Sequence, residues 1–229
     1  MAENFLAAAL VVITAVTLAR TSLWRSEPQT RLLTVVLALF AVSGAATHPW
    51  VRDAVDTHLR LPGWVGMADD VVLLTAVCLM CAYLARIWGF DTVARIAVAA
   101  APALALSLAV AYTLTTDSDR RHHYIGELSG PATVSGLIVS IGLLIATLAM
   151  FATVLVARPL SLTHLWFGVA AAAGLALAAL RAAATIDPGR FADPYWSVRY
   201  TLATLFLLAV SAAGITNLRN KRRSRVRSR

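Results

Sequence analysis

The chain is short of charge, of lysine and of cysteine, and each shortage excludes something. Charged residues are only 14% of its 229 positions, and they cluster between long uncharged stretches. A soluble protein of this size spreads charge along every surface helix, so an ordinary soluble domain is excluded. The one lysine, Lys221, lies beyond the last apolar run. That removes a retinal protein, which needs a Schiff-base lysine in its final span. The two cysteines, Cys78 and Cys81, sit three apart inside an apolar run. They form no disulfide framework or zinc set, and as small packing residues they need no redox role. Strand-type alternation is scarce, which argues against a barrel. No HExxH occurs, His48 and His164 fall at opposite ends of their runs and cannot share a haem, and the Ser43-Gly44 and Ser135-Gly136 pairs lack a nucleophile's setting.

What is present is apolar. Hydrophobic residues make up 59% of the chain and the mean hydropathy is +0.73. Runs rich in Ala, Leu and Val predict membrane spans at about 4–22, 32–49, 67–86, 94–115, 130–156, 162–184 and 197–217. Each is near the roughly 20 residues a bilayer core requires. The expected fold is all-α: a polytopic bundle of seven spans over 1–217 followed by a basic tail over 218–229. The start carries Glu3 and no basic residue before Arg20, which is the charge order of a first span and not of a signal peptide. Arg20 is expected to snorkel to the interface.

Charge asymmetry predicts the orientation. With the amino terminus outside, the cytoplasmic segments hold Arg20, Arg25, Arg31, Arg86, Arg95, Arg158 and the tail from Arg219 to Arg229. The outer loops hold Arg52, Arg60, Arg120, Arg121, Arg190 and Arg199, a smaller set, in keeping with the positive-inside rule. All six tryptophans (Trp24, Trp50, Trp64, Trp88, Trp166 and Trp196) fall near a predicted span end, where an indole finds both apolar and polar surroundings. Val51 to Leu61 reads as a short interfacial helix. The Pro- and Gly-bearing stretch from Asp187 reads as an outer loop whose aromatics anchor the last span.

Ionisable groups at membrane depth are the first candidates for function. Asp69, Asp70, Arg181 and His48 all fall near the outer leaflet and are the ligand-binding candidates. The favoured reading has the two acids capping the third span and Arg181 snorkelling outward, since groups so near the interface cost little. In the alternative, the acids face Arg181 and line an outward pocket. Asp117, Asp119, His122, His123 and Glu127 gather oxygen and nitrogen ligands in one loop, with His122, His123 and Asp119 the nearest to a metal set. Adjacent loop histidines lack the i, i+4 spacing of a helical ligand pair, so a solvated loop is favoured and neither metal nor cofactor is expected. In the tail, Arg219, Lys221, Arg222 and Arg223 are lipid-binding candidates, worth about 1 kcal/mol each beside anionic lipid.

The His48-Pro49 pair, the segment VRDAVDTHLRLPGWVGMADDVVLL from Val51 and the run LSLTHLWFGVAAAAGLALAALRA from Leu160 carry a resemblance. Together they resemble the seven-helix amino-terminal region of a family of actinobacterial membrane proteins assigned to transport. Members usually continue into a soluble carboxy-terminal domain, where this chain is expected to stop at its tail. The resemblance implies a multi-pass protein of the bacterial cell (inner) membrane. The residues favour a non-enzymatic sensor, regulatory or accessory component that binds a ligand or a partner through its helices. The alternative is a small-solute or ion transporter or channel, against which stand a mid-membrane poor in ionisable groups and an odd number of spans. Partners expected are the bilayer, its anionic lipids and a separate membrane or cytoplasmic protein, with no nucleic acid.

Overall fold

The computed structural model describes residues 2–22, 24, 31–59, 63–115, 130–157 and 160–227. Among them run eight α-helices and no strand: α1 Ala2–Thr21, α2 Arg31–Thr47, α3 Pro49–Ala54, α4 Trp64–Ile87, α5 Asp91–Thr113, α6 Pro131–Val156, α7 Leu162–Ile186 and α8 Pro188–Arg227. A π-helical turn, Val55–Leu59, continues α3.

Local chemistry sets the ends. His48 caps α3 with its ring, accepting from the Trp50 amide, and Pro49 follows at the first helical position, where no amide hydrogen is missed. Ser161 and His164 form a reciprocal cap at the start of α7, so His164 serves as a capping group. After α4 the chain reverses through Gly89 at φ 78°, a left-handed residue that lets Phe90 donate back to the Ala85 carbonyl.

Six of the helices pack in sequence around a ring: α1 against α2, α2 against α4, α4 against α6, α6 against α7, α7 against α8, and α8 back against α1. Helix α5 lies outside the ring against α4 and α6. The main core joins Leu6, Ile13 and Val16 of α1 with Val36, Leu37 and Phe40 of α2 and Phe206, Leu207 and Val210 of α8. Those α1 positions recur at helical spacing and present one buried stripe. The outward faces are apolar as well, with Val11, Leu18, Val42, Ile96, Leu106, Ile145 and Leu155 exposed. In water such a belt would be a large unpartnered apolar surface. Six helices are long and apolar enough to cross a membrane: α1, α4, α5, α6, α7 and α8. Helix α2 is a shorter apolar helix of 17 residues.

All seven predicted apolar runs are helical, with differences at their ends. Helix α4 starts at Trp64, which puts Asp69 and Asp70 in its second turn and leaves its first turn without an acid. The stretch from Asp187 is no loop, because α8 begins at Pro188 and its first free amides donate to the Asp187 carbonyl. Helix α8 also runs on through the basic segment to Arg227. Arg20 does not snorkel: it is 1% exposed, and its Nη1 donates to the Gly214 carbonyl of α8 at 3.2 Å.

Candidate functional site

Ser43 and Thr47 are four apart on α2 and therefore share one face. Both hydroxyls donate to the Asp69 carboxylate, Thr47 at 3.2 Å, and Thr47 is also 2.9 Å from the Ser43 carbonyl. Asp69 and Asp70 are successive on α4, so their side chains leave the helix about 100° apart. Asp69 turns to α2 and Asp70 to α7, where the Arg181 guanidinium donates to it in a buried ion pair. Both partners are 6% exposed. An ion pair removed from water needs further hydrogen bonds to offset desolvation, yet the Arg181 Nε has no partner.

From α8 comes a second buried cation, Arg199, also 6% exposed. Its guanidinium carbon lies 3.8 Å from the Trp196 ring centroid and 4.3 Å from that of Tyr200, and it donates to the Tyr200 hydroxyl. Planar guanidinium is suited to such stacking, which a lysine ammonium does not reproduce. Among the described residues no carboxylate pairs with Arg199, and its Nε is unpartnered. Arg52 of α3 lies 5.4 Å from the same Trp196 ring, bringing α3 beside the start of α8.

These groups surround a cavity of about 90 Å³ inside the helix ring. One end of it is polar and charged, with Ser43, Thr47, Asp69, Arg181, Tyr195 and Arg199. The rest is apolar and runs deeper, past Phe40, Leu143, Gly174, Phe206 and Leu207. Phe40 and Phe206 meet edge to face there, centroids 5.0 Å apart. Gly174 keeps α7 close to its neighbours: a Cβ on it would stand 2.5 Å from the Thr147 methyl and 3.2 Å from the Phe206 ring. The volume suits several waters or a ligand of a few heavy atoms, well short of a drug-sized site.

Of the sequence candidates, Asp69, Asp70 and Arg181 come together, and the outward-snorkelling arginine is overturned by the buried pair. His48 is an N-cap and does not line the cavity. Arg199, expected in an outer loop, is inside the bundle instead. In sequence Ser43 is weighed only as a nucleophile, Tyr195 only among the aromatics anchoring the last span, and Thr47 not at all. The spacing of Ser43 and Thr47 on an otherwise apolar run, and of Tyr195 and Arg199 at the head of the last one, was the available signal. Arg219 is exposed on α8, and the side chains of Lys221, Arg222 and Arg223 lie outside the described residues. So does the loop cluster of Asp117, Asp119, His122, His123 and Glu127. Among the described residues no group of three or more His, Cys, Asp or Glu could hold a metal ion. Comparisons with protein-family models, curated proteins and solved structures find no match to this chain.

Proposed function

We propose that this chain is a seven-span membrane protein that binds a small polar ligand in the cavity among α2, α4, α7 and α8. It acts without chemistry of its own, as a sensor, regulatory or accessory component of the bacterial cell membrane. The observation carrying this reading is the cavity's polarity: charged at one end, lined by Phe40, Phe206 and Leu207 at the other. A charged recess over an aromatic floor suits binding better than conduction, which needs polar groups along the whole path.

Helix α2 supplies the seventh span. Its 17 residues extend about 26 Å at 1.5 Å per residue, close to the thickness of a bilayer core. It packs between α1 and α4, both long enough to cross. The concentration of arginine beyond Arg219 favours a cytoplasmic carboxy terminus. The charged end of the cavity, at the close of α2 and α7 and the start of α4 and α8, then faces outward. The basic end of α8 touches anionic lipid and offers a contact to a separate protein.

The test is thermal unfolding of the wild-type protein in nanodiscs against a panel of neutral, cationic, anionic and zwitterionic solutes of a few heavy atoms. At least one class is expected to raise Tm saturably, by an amount equivalent to about 2.7 kcal/mol at a hundredfold excess over Kd. Ala203→Phe, which fills the cavity, should remove that response. No saturable shift from any class would discard ligand binding. Uptake of the same solute by proteoliposomes would move the assignment to transport.

A further inference from the structure

The cavity holds two charges of opposite sign that are not paired with each other. Asp69 is a carboxylate whose hydrogen-bond donors are the Ser43 and Thr47 hydroxyls. Arg199 is a guanidinium with a phenol hydroxyl as its acceptor and two aromatic rings for its faces. Among the described residues Asp70 and Arg181 form the single ion pair; the Arg181 charge also acts on Asp69, but neither Asp69 nor Arg199 has an ion-pair contact of its own. Asp69 is on α4 and Arg199 on α8, which belong to different sides of the helix ring, and both line the cavity.

An unpaired charge inside a helix bundle at membrane depth is expensive and usually marks a place where something else supplies the countercharge. One small molecule can meet both demands if it carries an ammonium and an anion on a short linker. From these features we infer that the ligand is a small zwitterion, its carboxylate or other oxyanion on Arg199 and its ammonium on Asp69. This rests on the ligand-binding reading above and narrows it to a chemical class. Arg199 suits the anion because its fork of donors is held against the rings of Trp196 and Tyr200, and its Nε still lacks an acceptor. Asp69 suits the ammonium because a carboxylate has acceptor sites beyond those used by two hydroxyls. The volume of about 90 Å³ holds the molecule to a few heavy atoms. A free amino acid and the ethanolamine phosphate headgroup of a lipid share this chemistry.

The experiment uses the wild-type chain in phosphatidylglycerol nanodiscs, with tryptophan emission and Tm as readouts, since Trp196 lies under Arg199. The probes are glycine, β-alanine, γ-aminobutyrate and phosphoethanolamine, which vary the linker. For the best of them, N-acylation removes the ammonium charge, and the ester of a carboxylate probe, or ethanolamine in place of phosphoethanolamine, removes the anionic one. At least one zwitterion is expected to give a saturable shift, with each single-charge derivative at least tenfold weaker. Arg199→Gln and Asp69→Asn should abolish the shift, and Arg199→Lys should weaken it. Loss of solute binding on replacing the lipid with phosphatidylethanolamine would identify the headgroup as the source of the zwitterion. Because the derivatives are tested on the wild-type protein, the inference does not depend on the variants folding. Derivatives that bind as well as the parent, or a panel in which no zwitterion binds, would overturn it. In the second case, binding by a neutral or singly charged solute would leave the cavity as a ligand site, and silence from every class would remove that reading too.

Discussion

Asp70 and Arg181 show how much a single residue can matter when water is excluded. They form a buried ion pair, so removing one leaves the other without its direct contact partner. Asp70→Asn should cost roughly 3–5 kcal/mol, whereas Asp70→Leu combined with Arg181→Met should recover most of the loss. Unfolding of the two proteins in detergent checks this, and equal destabilisation by both would show that the pair is not the term that matters. Sequence pointed to these two residues by their rarity at membrane depth. It could not distinguish a buried pair from two groups reaching for the headgroups, because that depends on which helices are neighbours. Arg199 was harder still. At the edge of a predicted span, it counts with the outer-loop arginines until α8 is seen to begin at Pro188 and carry it beside the cavity.

At the scale of helices, the apolar runs were legible because a span must hide its backbone polar groups by itself, and only a long uncharged helix does so. Ends were less legible where a helix starts ahead of the predicted apolar run, as at Trp64 and Pro188. The contacts between helices were not readable, since Leu, Ala and Val serve lipid and protein neighbours alike. Small residues set how closely the elements approach. Gly174 is the tightest such place around the cavity, wedged against the β-branched Thr147 of α6 and the Phe206 ring of α8. Gly174→Ala should therefore destabilise by about 1–3 kcal/mol through overpacking, and weaken ligand binding as the floor shifts. Gly168→Ala on the same helix is the control, because a Cβ there would meet only Val154 at 3.6 Å. Similar unfolding curves for the two variants would contradict close packing of α7 at Gly174.

On the scale of the whole molecule, the ring of six helices places charge at one end of an internal cavity and lines the other with aromatic and aliphatic side chains. The long α8 links the two ends, carrying Arg199 at the cavity and Arg219 near its basic terminus. At 1.5 Å per residue the 20 positions between them span about 30 Å, the thickness of a bilayer core. In the proposed topology the cavity mouth and the basic terminus lie on opposite sides of the membrane. The most direct test is labelling of single cysteines by a membrane-impermeant thiol reagent, in a protein with Cys78 and Cys81 replaced by alanine. Ala203→Cys, in the cavity wall, should react in right-side-out vesicles and not in inverted ones, while Arg219→Cys should show the reverse. Labelling of both from the same side, or no labelling of Ala203→Cys from either, would contradict an outward-facing ligand cavity.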